Sequence, residues 1–125
     1  MYSEQLIKAA PSTAKCFSGK PHQLLMDLAE AHAEFMVIVD KQGHQHFQSR
    51  YDEIKAKTGL RATEICAESW AWEQTVEDAA ISMWKSWFYH LHGHRDVCIT
   101  PHDFYGAAMA KGKVWYACII VGDKS

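Results

Sequence analysis

His44 and His46 precede Glu68, and His90, His92 and His94 follow it, the last inside Gly93-His94-Arg95. Imidazoles and a carboxylate drawn together from distant segments can hold a metal ion or exchange protons near neutral pH. Eight histidines in 125 residues also produce close pairs by chance, and many histidines simply hydrogen-bond at surfaces. Spacing alone leaves both readings open, because an H-x-H pair shares one face of a strand but splits between faces of a helix. The elements that carry these residues therefore come first.

Leu24, Leu25, Leu28, Ala31, His32, Phe35, Met36 and Val39 recur at three- and four-residue steps behind Pro21, a residue suited to a helix's first turn. His32 lies on or beside that apolar stripe and reads as a packed, hydrogen-bonded histidine in preference to a ligand. Gly43 is expected to end the helix. His44 to Phe47 then form a connection, and Phe47, Tyr51 and Ile54 begin a shorter helix that runs up to Gly59. The stretch 62–72 permits an extended segment that aims Glu68 away from Ile65 and Ala67. Thr75-Val76-Glu77-Asp78 has a capping residue followed by acids in the positive first turn, and Val76, Ala79, Ala80, Met83, Trp84, Trp87 and Phe88 give the next helix a broad apolar face. Phe104 to Ala110 and Val114 to Val121 read as a hairpin around Lys111-Gly112-Lys113.

Length and composition suit one domain, with residues 1–20 as a lead of short helix or irregular chain, 21–122 as the domain and 123–125 as a tail. The hydrophobic fraction of 48% against 22% charged is a globular balance. A net charge of -2 and the lack of a Lys/Arg run exclude the basic stripe that nucleic-acid phosphates require. The longest apolar stretches, 35–39 and 114–121, are too short to cross a bilayer as a helix. The opening Met1-Tyr2-Ser3-Glu4-Gln5 places an acid where a secretory signal carries positive charge, so synthesis in the cytoplasm without a signal peptide is expected. Cys16, Cys66, Cys98 and Cys118 form no C-x-x-C pair and read as four free thiols. The alternative is one or two disulfides in an exported form, with Cys98 and Cys118 the pair to test if they lie on neighbouring strands.

The order of motifs carries a resemblance. A helix with Ala31-His32-Ala33-x-x-Met36 is followed by His44-x-x-Phe47-x-x-Arg50, by Ala67-Glu68 at a step of 24 residues from His44 (68 minus 44), by a helix with Trp84, and by Gly93-His94-Arg95. Downstream, Ile99, Pro101, Phe104, Gly106 and the run from Val114 to Val121 continue the pattern. Over roughly residues 21–122 the chain resembles the CAP superfamily, the SCP-like or cysteine-rich secretory, antigen 5 and pathogenesis-related 1 family, in a compact form of bacterial or phage type. The resemblance implies an α+β fold, an α-β-α sandwich with a central antiparallel sheet between helices, and a cleft where histidines and acids converge. Periodicity alone yields only a mixture of α and β.

The family cleft often holds two His and two acids, and the match carries over His44, Glu68 and His94. Three departures accompany it. Trp87 occupies the place three positions after the helix Trp where many members carry the second acid. Ser69 stands where the family usually has Asn. Extra residues, Phe88-Tyr89-His90-Leu91-His92 among them, separate Trp84 from Gly-His-Arg; they either rim the cleft or merely lengthen a loop. His46, Trp84, Trp87, His90 and His92 are accordingly expected around the cleft.

Two imidazoles and one carboxylate fit the donor count of a zinc site that keeps a position for water, whose pKa would fall to about 7. His44, Glu68 and His94 are the expected Zn²⁺ ligands, with His46, His90 and His92 near in sequence as candidates for a separate general base. Without a metal, His94 could act as general base with Glu68 orienting it. A hydrolase then needs a nucleophile: Ser86 and Ser69 are candidates by proximity only, neither lies in a G-x-S-x-G elbow, and Cys66 and Cys98 read as buried packing. The competing class, placed first, is a binding or structural module whose cleft holds an ion, lipid, peptide or other small ligand unchanged. A family that usually acts outside cells, joined to a chain without an export signal, suggests release by lysis or incorporation into a protein assembly such as a phage virion.

Overall fold

A computed structural model describes residues 2–70, 75–89 and 92–124, the His92 side chain excepted. In chain order these form α1 (Ser3–Lys8), β1 (Lys20–Pro21), α2 (Gln23–Val39), α3 (Phe47–Thr58), β2 (Arg61–Glu68), α4 (Val76–Tyr89), α5 (His92–Ile99), β3 (Phe104–Lys111) and β4 (Trp115–Asp123). The strand order is β1-β3-β4-β2. β2, β4 and β3 are antiparallel neighbours, as expected, whereas the two-residue β1 runs parallel to β3 and makes the sheet mixed.

The hairpin lies where the alternation predicts it, β3 and β4 closing through a turn in which Gly112 N–H donates to Val114 C=O at 2.8 Å. β4 is buried from Trp115 to Gly122, a continuous apolar run because both of its faces are covered. On one face Ile65, Ala67, Ala107, Met109, Ala117, Ile119 and Val121 pack against Leu6 of α1 and Ala79, Ala80, Met83, Trp84 and Trp87 of α4. On the other, Ala62, Cys66, Ala108, Ala110, Tyr116, Cys118 and Ile120 pack against Leu25, Ala29, Ala33 and Met36 of α2 and Ile54 of α3. Helices on both sides of one sheet make the α+β sandwich.

Local chemistry sets the helix ends. His22 accepts from Leu24 N–H at 3.2 Å and caps α2. Asp40, at φ 55°, ends that helix three residues before Gly43, with Lys41 N–H donating to Met36 C=O at 3.1 Å. Thr75 accepts from Asp78 N–H at 3.1 Å at the start of α4. Gly59, at φ 76°, ends α3 in the left-handed conformation that glycine adopts without penalty. At Gly106 a Cβ would stand 2.2 Å from the Leu25 backbone, so Gly106 and Ala108, the small residues on the α2 face of β3, are what let α2 lie directly on the sheet.

The lead is part of the core: Leu6 and Cys16 are fully buried, and the Leu6 carbonyl accepts from Trp84 Nε1 at 2.8 Å. At the other end β4 runs through Asp123, whose carboxylate takes His102 Nδ1 at 2.7 Å and Asp103 N–H at 3.1 Å. The expected extended segment is β2; its continuation over 71–74 lies outside the described residues.

Candidate functional site

Three elements converge on the α2/α3 side of β2. Ala62, Glu64, Cys66 and Glu68 alternate onto one face of that strand, opposite Ile65 and Ala67. Arg50 lies on the inner face of α3 beside Ile54. His32 comes from the inner face of α2, and His44 from the connection between α2 and α3.

Glu64 is the centre. Its carboxylate accepts from Arg50 Nε on Oε1 and from Arg50 NH2 on Oε2, both at 2.8 Å, a two-pronged pair in a site where the Glu64 side chain is 1% exposed. Oε2 also accepts from His44 Nδ1 at 2.8 Å. The remaining Arg50 nitrogen donates to the Gln45 carbonyl at 2.7 Å, fixing the connection that carries His44. The Cys66 thiol stands 3.6 Å from Glu64 Oε2 and 3.9 Å from His44 Nδ1. His32 Nε2 donates to the Gly43 carbonyl at 2.7 Å and lies 3.9 Å from Glu64 Oε2. It is the packed, hydrogen-bonded histidine that the α2 stripe implies.

The cluster polarises its members. Hydrogen bonding with Cys66, helped by Glu64 and opposed by burial, raises the His44 pKa to about 9. Contact with Cys118, then with His32 and His44, draws the Cys66 thiol down against its burial. His94 moves the other way, lowered first by burial and then by the charge of His44. The two rings face each other with centroids 6.3 Å apart and planes 27° from parallel. His94 reaches this position on α5, a helix formed by the Gly93-His94-Arg95 motif and the residues after it.

Among the described residues, the set of three metal-donor side chains whose ligand atoms lie within 4.8 Å of one another is His32, Glu64 and Cys66. By donor type this buried group could hold a metal ion. Its donors already serve the fold, Glu64 toward Arg50 and His44 and His32 toward Gly43, so a metal there would have to displace those bonds.

The expected site residues fall into distinct places. His44 and His94 meet. Glu68, two residues beyond Cys66 on the same strand face, is exposed and lines a cavity of about 430 Å³ with Ser69, Trp70, Ser82, Lys85 and Ser86. His46 is exposed, and its ring packs edge-on against Phe35 at 5.5 Å. Trp84 and Trp87, expected at the rim, lie instead in the core, 2% and 0% exposed, because their positions fall on the apolar face of α4 that covers the sheet. Trp87 Nε1 donates to the Cys66 carbonyl at 3.1 Å, bracing β2 from behind. His90 lies outside the described residues, as does the side chain of His92.

Ser69 is buried, and its hydroxyl accepts from Trp115 N–H at 2.9 Å while its own N–H donates to Trp115 C=O at 2.9 Å. That side chain extends the β2–β4 ladder and is not presented to a substrate. Cys98 lies on α5 and Cys118 on β4, so they are not strand neighbours; all four cysteines are free and buried.

Glu64 is the residue that sequence reading passed over. Two signals pointed to it: strand alternation puts it on the face shared by Glu68, and Arg50, at the inward position of α3 between Phe47 and Ile54, requires a buried anion. Comparison with family models, with curated proteins and with solved structures finds no match to this chain.

Proposed function

We propose that the chain is a CAP-like binding module whose working part is the His44–His94 position, able to take a divalent ion, zinc by the nature of its donors. The observation that carries this reading is the hydrogen bond from His44 Nδ1 to the buried Glu64 carboxylate. A carboxylate holding one ring nitrogen is the usual partner of a metal-ligating histidine, since it sets the tautomer; with its pKa raised to about 9, His44 must release the proton on its other nitrogen as the ion binds. His44 is suited to that role, with its side chain 47% exposed while Glu64 beneath it is sealed. Two imidazoles on one tetrahedral zinc, each bonded at about 2.1 Å, stand roughly 5 Å apart between centroids. The rings now stand 6.3 Å apart and face each other, so binding one ion requires both to turn their nitrogen edges toward a common point. The resemblance to the family suggests Glu68 as a third donor, but Glu68 lines the neighbouring cavity with Ser82, Lys85 and Ser86, so the proposal rests on the two imidazoles.

Binding is favoured over hydrolysis. Of the nucleophile candidates, Ser69 and Cys66 are buried within hydrogen-bonded networks, and Ser86 stands beside Glu68 and Lys85 in the neighbouring cavity. The test is the melting temperature of chelator-treated protein with and without added Zn²⁺. A specific ion at 100 times its Kd adds about 2.7 kcal/mol, and His44→Ala and His94→Ala should each abolish the rise. A rise that survives both substitutions and disappears with Cys66→Ser would move the ion to the buried His32–Glu64–Cys66 group; the lack of any rise would remove the metal reading.

A further inference from the structure

The four buried cysteines stand in two pairs. Cys66 and Cys118 are register partners on β2 and β4 with their thiols in contact, but the Cys66 sulfur is also engaged with Glu64 and His44. Cys16 and Cys98 differ. They are 82 residues apart in sequence (98 minus 16), both fully buried, and both in the core cluster on the α4 side of the sheet. Cys98 is in the last turn of α5, where helix carbonyls lack partners within the helix. Its carbonyl accepts from Lys15 N–H at 2.8 Å and from Cys16 N–H at 3.1 Å. A direct backbone hydrogen bond between two residues puts their Cα atoms on the order of 5–6 Å apart, inside the window that a disulfide spans. Each thiol is also the main influence on the other: the hydrogen bond between them lowers the pKa of Cys16 and raises that of Cys98.

We propose that Cys16 and Cys98 are a disulfide-forming pair, oxidised by a small disulfide such as oxidised glutathione, and that the bond clasps the amino-terminal segment to the helix that presents His94. Cys98 follows His94 by four residues, one helical turn. The clasp therefore fixes the end of the short helix on which that imidazole depends. The chemistry is ordinary exchange. The Cys16 thiolate attacks one glutathione sulfur, the glutathione S–S bond breaks, and one glutathione thiolate leaves as the mixed disulfide forms. The Cys98 thiolate then attacks the Cys16 sulfur and expels the second glutathione thiolate. Two protein thiols are oxidised, one glutathione disulfide is reduced to two thiols, and the two protons released by the cysteines end on glutathione. Burial of both sulfurs makes the reaction one of folding or local opening.

The full chain, refolded from denaturant in a buffer of oxidised and reduced glutathione, should lose about 2 Da for the pair. Digestion without reduction should yield a peptide joining the segments around Cys16 and Cys98. Closing so long a loop should raise the melting temperature by roughly 10 °C over the reduced protein. Cys16→Ser should remove both the linked peptide and that increment. Wild-type protein in which Cys16 and Cys98 remain alkylatable after equilibration, or in which either is found joined to another cysteine instead, overturns the proposal.

Discussion

Replacing Glu64 by glutamine removes one negative charge from the centre of the site and leaves its volume almost unchanged. The carboxylate receives four hydrogen bonds, two from Arg50, one from His44 and a longer one from the Cys66 thiol, with the Glu64 side chain 1% and the Arg50 side chain 10% exposed. A glutamine in the same rotamer keeps one acceptor and turns an NH₂ group toward the guanidinium or the imidazole, both of which are donors. Arg50 then remains buried without its counter-charge, a condition that typically costs about 3–5 kcal/mol. For a domain of this size each kcal/mol moves the melting temperature by about 4 °C, so a fall of about 12–20 °C is expected. Thermal unfolding followed by tryptophan fluorescence measures the fall, and urea unfolding the free energy behind it. Arg50→Met combined with Glu64→Leu removes both charges and should cost far less than the sum of the two single losses. A Glu64→Gln variant within about 1 kcal/mol of wild type, or a double variant whose loss equals that sum, would refute the claim that Arg50 and Glu64 are one buried unit.

Four further outcomes follow, two from the histidines of the site and two from the packing and capping of its helices. In metal-free protein, His44 should titrate near pH 9 and His94 below 6.5, readable from their imidazole proton resonances; two coincident titrations near 6.5 would contradict the cluster's polarity. A folded pKa above the unfolded one means that the stability His44 contributes is complete below pH 6.5 and is lost as pH rises through about 9. The His94 shift has the opposite sign, with its contribution present above pH 6.5 and lost as pH falls through its lowered value, so the two predict a maximum between those limits in the pH dependence of unfolding free energy. Gly106→Ala would drive a methyl group into the Leu25 backbone and should destabilise by about 3 kcal/mol or more, seen as a sharply lower urea midpoint. Thr75→Ala, which removes the cap of α4, should cost only about 1 kcal/mol.

Local order was legible in the chain, as α2, α3, α4 and the closing hairpin show. A three-to-four residue recurrence of apolar groups and a glycine between two alternating runs act over a few residues, within the range on which periodicity reports. Of the three residues that the resemblance to CAP proteins singles out, His44 and His94 face each other, while Glu68 lines a cavity with residues of α4. The helix at Gly93-His94-Arg95 was not legible, because its eight residues are too few to establish a periodicity. The resemblance puts Trp84 and Trp87 on the rim, although the same stripe that identifies α4 puts both toward the core. There the local pattern was sufficient and was outweighed by the motif.

The sequence by itself determined which segments coil, which extend and which face of each is apolar, because those preferences arise from backbone sterics and side chains a turn or less apart. Only tertiary structure decided that the acid holding His44 is Glu64, that Arg50 belongs to the same unit, and that Cys16 lies against Cys98 and Cys66 opposite Cys118. These partners are separated by 14 to 82 residues, and nothing in the chain between them specifies the meeting. It comes from the stacking of two helical layers on one sheet, where burying a charge leaves no choice but to bring its counter-charge along.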